Sequence, residues 1–321
     1  MDRRHFLRTG ALAGLALHAP VLLRPSRAAG AAPSPAAGRP VGMCDWNLGA
    51  TADLAAIPKA AAAGLSGIQV SVGTRPDHIP LRDPEVRRRY LALGAEHGVT
   101  FPSVAAGSIL NQIPLRSESQ AAVYVIDAVE AAAAVGAPNV LLAFFSNGDL
   151  RLRDAVGDFR NVSDGPFKRY ELDAPGVTRV VEALRQIAPR ARDAQVVLGL
   201  ENTLTAEQNL ELLDRVGSEW VKVYYDVGNS TAYGYDVASE IRLLGRERIC
   251  EIHVKETLGL DDPSTPLLGG PASGGVDFTA AAAACRDIGY DGWYVLETSG
   301  RAGRFEADTR ANIAFVREHF A

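Results

Sequence analysis

From Val41 onward, short apolar runs alternate with longer segments in which apolar residues recur at helical spacing. The short runs are Val41–Trp46, Gly67–Val72, Thr100–Ala105, Asn139–Phe145, Val196–Glu201, Lys222–Val227, Ile249–Val254 and Trp293–Glu297. Each is bounded by Gly, Pro, Asn or Asp, and together they predict eight strands. Between them, Asp53–Ala63, Pro84–His97, Ser117–Val135, Pro175–Asp193, Ala206–Val216, Asp236–Leu244 and Phe278–Ile288 predict helices, several of them stopped by a glycine (Gly64, Gly98, Gly136, Gly289). Repeated βα units imply a parallel sheet, and eight of them imply an α/β fold closed as a (β/α)8 TIM barrel. An open doubly wound sheet usually places a glycine-rich phosphate turn after its first strand, whereas Trp46 is followed by Asn-Leu-Gly-Ala-Thr.

Two strand-to-helix connections, Ser146–Ala174 and Glu256–Val276, far exceed the few residues a compact unit needs. Both follow strand C-terminal ends, the face on which such barrels build their sites, so they read as substrate covers or specificity loops. Phe159, Phe167, Lys168, Arg169 and Tyr170 in the first offer aromatic and basic contacts to a ligand.

The first forty residues belong to a different kind of sequence. Asp2-Arg3-Arg4-His5-Phe6-Leu7-Arg8 runs into an apolar stretch from Gly10 to Leu23 and then Ser26-Arg27-Ala28, the pattern of a twin-arginine signal peptide over residues 1–28. The apolar run is too short to span a bilayer comfortably and is broken by His18 and Pro20, which argues against stable membrane insertion. Residues 29–40, rich in Ala, Gly, Pro and Ser, read as a linker, leaving residues 41–321 as one barrel domain. The implied partner is the twin-arginine translocation machinery, and the implied location is periplasmic or secreted.

Composition narrows the function. At 321 residues and 47% hydrophobic content, the chain can bury one large core without disulfides. A formal charge of −5 does not suit a nucleic-acid partner. Cys44, Cys250 and Cys285 follow no metal or redox spacing and read as free thiols in strand, strand and helix. The helices carry no heptad seam that would define an oligomer.

The chemistry lies at the ends of the last four strands: Leu-Glu201-Asn202, Tyr-Asp226-Val-Gly-Asn229, Ile-His253-Val-Lys255-Glu and Leu-Glu297-Thr. Singly, a strand-end carboxylate is most simply a cap for the next helix and a lone histidine a core residue. Jointly, four successive strands deliver Glu201, Asp226, His253 and Glu297 to one rim, where desolvation without a partner would cost several kcal/mol. A mixed O/N set without cysteine suits one divalent metal, Mn2+, Co2+, Mg2+ or Zn2+, and is not a structural zinc site.

With these motifs and the Leu268-Gly269-Gly270…Gly275-Val276-Asp277-Phe278 stretch, the chain from about Val41 resembles the sugar phosphate isomerase/epimerase superfamily with the xylose isomerase-like barrel, including ketose 3-epimerases. The resemblance implies one metal held by Glu201, Asp226, His253 and Glu297, with Glu201 and Glu297 also serving as the acid/base pair. The implied reaction is isomerisation or epimerisation of a small-molecule sugar by proton transfer through a metal-stabilised enediolate. Lys255 either steadies the developing oxyanion or forms a rim salt bridge. Asn202 and Asn229 either bind sugar hydroxyls or close turns. Two departures stand out: the loop after His253 is longer than in many relatives, and Gln69 occupies a strand-two position often acidic in them. Rival readings are a metal-dependent lyase or dehydratase on oxidised (3-keto) sugars or glycosides, and a non-catalytic sugar-binding barrel. A trinuclear endonuclease site would need more histidines than His78, His97, His253 and His319 supply.

Overall fold

The computed structural model describes residues 39–257, 267–269 and 275–320. Eight parallel strands close in chain order: β1 (Val41–Cys44), β2 (Gly67–Ser71), β3 (Ser103–Ala105), β4 (Asn139–Ala143), β5 (Val197–Glu201), β6 (Val221–Asp226), β7 (Ile249–Val254) and β8 (Tyr294–Leu296). Closure pairs Met43 of β1 with Leu296 of β8, so the sheet has no free edge. The expected α/β barrel is therefore the fold observed. Helices α1 (Ala56–Ala63), α2 (Pro84–His97), α3 (Gly107–Leu110), α4 (Ala121–Val135), α5 (Ala174–Ala194), α6 (Ala206–Val216), α7 (Val227–Ala232), α8 (Val237–Arg248), α9 (Phe278–Asp287) and α10 (Phe305–His319) lie between and after the strands.

Local chemistry sets the boundaries. Asp83 accepts from the Glu85 N–H ahead of Pro84 to begin α2, and Gly98 at φ 68° ends it. Thr205 and Gln208 cap each other's backbone N–H groups at the start of α6. β3 is shorter than the Thr100–Ala105 run suggests because Pro102 has no N–H for the ladder, and Thr100 keeps only an isolated bridge to Gly67. β6 stops at Asp226 rather than Val227 because the Asp226 carboxylate accepts from Asn229 N and starts α7. The final helix, α10, was not among the predicted segments. Its inward side is carried by Ile313 and Val316 with the polar Thr309 and Asn312, so its apolar stripe is thin, yet all four are buried.

The expected long loop after β4 is a folded ribbon. Bridges pair Arg151 with Leu172, Arg153 with Phe159 and Asn161 with Tyr170. Its anchor is the buried Arg151–Asp149 ion pair (2.8 Å), whose guanidinium lies over the rings of Phe159, Tyr170 and Tyr233. The loop after β7 lies partly outside the described residues. Its two flanks are joined by Glu256, which accepts from Gly269 N and Val276 N.

The proposed signal peptide and nearly all of the linker also fall outside the described residues. Arg39, at the linker's end, does pack: it donates to the Tyr290 carbonyl at 2.8 Å, which the composition of that stretch does not suggest. The three cysteines are free, with Cys44 and Cys285 buried. Among the described residues, no helix is long and apolar enough to cross a membrane.

Candidate active site

Glu201 and Asp226 are the last residues of β5 and β6, His253 is the penultimate residue of β7, and Glu297 follows β8 directly. Parallel register puts Asp226 beside His253, and the Glu297 N–H donates to the Val254 carbonyl at 3.1 Å. The barrel thereby brings one donor atom from each of the four residues within 4.8 Å of one another. His253 Nδ1 faces them, 3.4 Å from Glu201 Oε1, 3.7 Å from Asp226 Oδ2 and 3.8 Å from Glu297 Oε2. Glu201, Asp226 and His253 are buried, whereas Glu297 is half-buried.

Burial and mutual charge shift every one of these groups for which a direction is resolved. Burial pushes the Glu201 carboxyl up, and the neighbouring Glu297 and Asp226 charges add to the rise against the pull of His253. Burial pushes Asp226 the same way, but Lys255 and His253 overcome it and hold Asp226 well below the carboxylate range. Lys255 and His253 are both raised well above their usual values although burial opposes their charged forms. For His253 the neighbours are Cys44, Glu201 and Asp226; because burial pushes the Cys44 thiol up to about 12, Cys44 is uncharged near neutrality and the carboxylates carry the effect.

The residues present fit a divalent cation on two counts. Three carboxylates against the single Lys255 ammonium leave two negative charges uncompensated in a buried pocket when His253 is neutral. Asp226 Oδ2 is buried without a hydrogen bond, even though Lys255 Nζ lies 3.0 Å away as an ion-pair contact. A cation held here would require neutral imidazole and would compete with the proton that the carboxylates draw onto His253.

Above the cluster is a cavity of about 320 Å³, large enough for a monosaccharide-sized ligand, with Glu201, Glu297 and Lys255 at its base and Trp46, Phe145 and Tyr233 among its walls. Trp46 Nε1 donates to Glu297 Oε1 at 3.2 Å, Lys255 Nζ donates to Glu297 Oε2, and Asn229 Nδ2 donates to Glu201 Oε1 at 3.2 Å. Both cavity-facing glutamates are thus oriented by neighbours. Lys255 reaches Glu297 and Asp226 past Gly228, where a Cβ would fall 2.4 Å from Lys255 Cγ.

The residues singled out in the sequence divide at this point. Asn229 and Lys255 line the cavity. Asn202 is turned instead into the β5–α6 turn, where it exchanges hydrogen bonds with Asn209 and accepts from Leu204 N, the turn-closing alternative. Gln69 is fully buried beneath the site and bonded to His253. Trp46, Phe145 and Tyr233 were missed. Their positions just past β1, β4 and α7 were the available signal, but an aromatic residue there is equally consistent with core.

The fold and rim chemistry define a (β/α)8 barrel of one class: a family model described as xylose isomerase-like TIM barrel matches residues 57–319, and the chain belongs to that family. Its homologues include sugar epimerases. The chain is 30% identical over 246 residues to 2-epi-5-epi-valiolone 7-phosphate 2-epimerase of Actinoplanes sp., covering 75% of this chain and 81% of that protein. It is 25% identical to L-ribulose-5-phosphate 3-epimerase UlaE of Escherichia coli over 79% of this chain and 84% of that one. The crystal structure of D-psicose 3-epimerase with D-tagatose from Clostridium cellulolyticum H10 superposes with a TM-score of 0.68 at 17% identity, over 88% of this chain and 99% of that one, a likeness of fold.

Proposed function

We propose that the protein is a divalent-metal-dependent sugar epimerase or isomerase acting by proton transfer beside a carbonyl. The observation that carries the reading is the pair Glu201 and Glu297, which face one cavity from strands three places apart around the barrel while sharing one cluster with Asp226 and His253. The similar proteins named above, a 2-epimerase and 3-epimerases, support the reaction class. Glu201, Asp226, His253 and Glu297 would hold the cation, which would supply Lewis-acid polarisation of a substrate carbonyl.

The chain's own groups do the rest. Glu297, oriented by Trp46 and Lys255, and Glu201, oriented by Asn229, stand as proton acceptor and donor toward the carbon between them, so configuration there inverts. Burial raises the proton affinity of Glu201, and Lys255 keeps a positive charge beside the oxygen that becomes negative. The walls of Trp46, Phe145 and Tyr233 limit water at the reacting carbon.

The chain organisation belongs to the same proposal: a twin-arginine signal at residues 1–28, a linker at 29–40 and the barrel from 41, giving a periplasmic or secreted enzyme. The test is cation content of the purified protein together with exchange of a substrate C–H proton into deuterated water, across free ketoses, ketose phosphates and 3-keto-glycosides. Cation-dependent exchange that falls by roughly a hundredfold or more in Glu297→Gln is expected. Stoichiometric cation with no exchange favours a sugar-binding barrel, and release of a leaving group or water identifies a lyase or dehydratase.

A further inference from the structure

Beneath the cation site, a buried polar chain descends along the barrel axis. His253 Nε2, the nitrogen turned away from the carboxylates, lies 3.0 Å from Gln69 Oε1. The Gln69 amide nitrogen donates to Ser103 Oγ at 2.9 Å and Tyr224 OH at 2.8 Å. Those two hydroxyls donate in turn to Glu251 Oε1, at 2.9 and 2.7 Å, and Asn139 Nδ2 donates to Glu251 Oε2 at 2.9 Å. Gln69, Ser103 and Glu251 are fully buried and Tyr224 nearly so, so none can exchange its partner for bulk water.

Donor and acceptor bookkeeping gives this chain a direction. Burial raises the Glu251 pKa to about 7 against the pull of its three donors; in its ionised form the carboxylate only accepts, so the Ser103 and Tyr224 protons point toward it and their oxygens accept from Gln69. That orients the amide with its oxygen toward His253. Cys44 Sγ lies 3.3 Å from this oxygen and 3.4 Å from Nε2; the thiol has one proton, and donating it to the oxygen leaves Nε2 to donate to Gln69 at the shorter 3.0 Å. Gln69 Oε1 can only accept, so the neutral imidazole must carry its proton on Nε2, leaving the Nδ1 lone pair aimed at the carboxylates. Tyr224 also packs edge-on against the imidazole with ring centroids 4.5 Å apart, so one residue helps hold both ring plane and amide polarity.

The geometry points to Gln69 as a positioning residue that selects the His253 tautomer able to ligate the cation, with Tyr224, Ser103 and Glu251 setting the polarity of Gln69. The inference rests on the cation site proposed above. It accounts for a glutamine amide inside a barrel core, where an apolar side chain would otherwise pack without hydrogen-bond demands.

The test is titration of the purified full chain with Co2+, read by calorimetry and by the visible absorption of the bound ion, for wild type, Gln69→Met and Gln69→Glu. Folding is checked by circular dichroism. Gln69→Met has similar length but no strong acceptor, and its Co2+ affinity is expected to fall about 10–100-fold with a shifted absorption band. Gln69→Glu keeps an oxygen toward Nε2 and is expected to stay within a few-fold of wild type. Wild-type affinity and spectrum in Gln69→Met would overturn the assignment, as would equal weakening in both variants, which marks a packing role. Should Gln69→Met not fold, Tyr224→Phe replaces it. That variant removes one acceptor orienting the amide and is expected to weaken Co2+ several-fold; an unchanged affinity sinks the proposal. A wild-type chain that binds no Co2+ removes the cation site itself, an outcome distinct from any difference among the variants.

Discussion

Glu240 on α8 shows how a single buried side chain ties stability to pH. It accepts from Ala206 N at 2.8 Å and Tyr225 OH at 2.9 Å, linking α8 to the start of α6 and to β6. Burial pushes its pKa to about 7, the two hydrogen bonds pull against that, and Glu207 and Asp236 add to the rise. Between the unfolded-state value, about 4.3, and about 7, the native state holds a proton that the unfolded chain has lost. Stability from this group is therefore complete below that window and declines as pH rises through it. Glu240→Gln cannot titrate, so its stability relative to wild type is expected to improve progressively from about pH 4.3 to 7, by up to about 4 kcal/mol. Urea midpoints across that range check the sign; a difference independent of pH would contradict it. At the active site, Gly228→Ala places a methyl carbon against the Lys255 stem and its backbone oxygen. A loss of about 1–3 kcal/mol in stability is expected together with reduced solvent exchange of substrate, because Lys255 must leave Asp226 and Glu297 to make room. Denaturation midpoints and the deuterium assay would read both.

At the scale of elements, the ribbon between β4 and α5 is built around one buried ion pair. Arg151 and Asp149 are both buried, Asp149 also accepts from Thr203 Oγ1 at 2.8 Å, and the guanidinium is enclosed by three aromatic rings. Arg151→Met leaves Asp149 with a buried charge and no counter-charge, and about 3–5 kcal/mol of destabilisation is expected. Tyr233 is both a ring under Arg151 and a wall of the cavity, so the ribbon and the site loosen together. Limited proteolysis should then cut the variant within residues 153–168 faster than wild type, while equal cleavage rates would show that the ribbon holds by its bridges alone. This element was legible only as a long connection. Its length marked it as unusual, but the pairing of Arg151 with rings 8, 19 and 82 residues further along the chain has no period to read.

For the whole molecule, a cation that binds the folded chain alone stabilises it by mass action, about 2.7 kcal/mol at a hundredfold excess over Kd. Saturating Mn2+ or Co2+ is expected to raise Tm by several degrees in wild type and much less in Asp226→Asn; no shift in either would speak against the site. Sequence by itself determined the order of the eight strands and the helices with a clear apolar period, because each records its own burial period locally; α3, α7 and α10 were not among them. It also marked Glu201, Asp226, His253 and Glu297, because a charged residue at the end of an apolar run is conspicuous wherever the run lies. Lys255 and Asn229 were visible as polar neighbours on the same rim. Only tertiary structure decided that Asn202 turns into its own loop, that Trp46 meets Glu297 across 251 residues, and that Gln69 lies under His253 across 184. The physical reason is closure: when β8 pairs with β1, positions remote along the chain become neighbours across the barrel, and register alone selects which side chains meet.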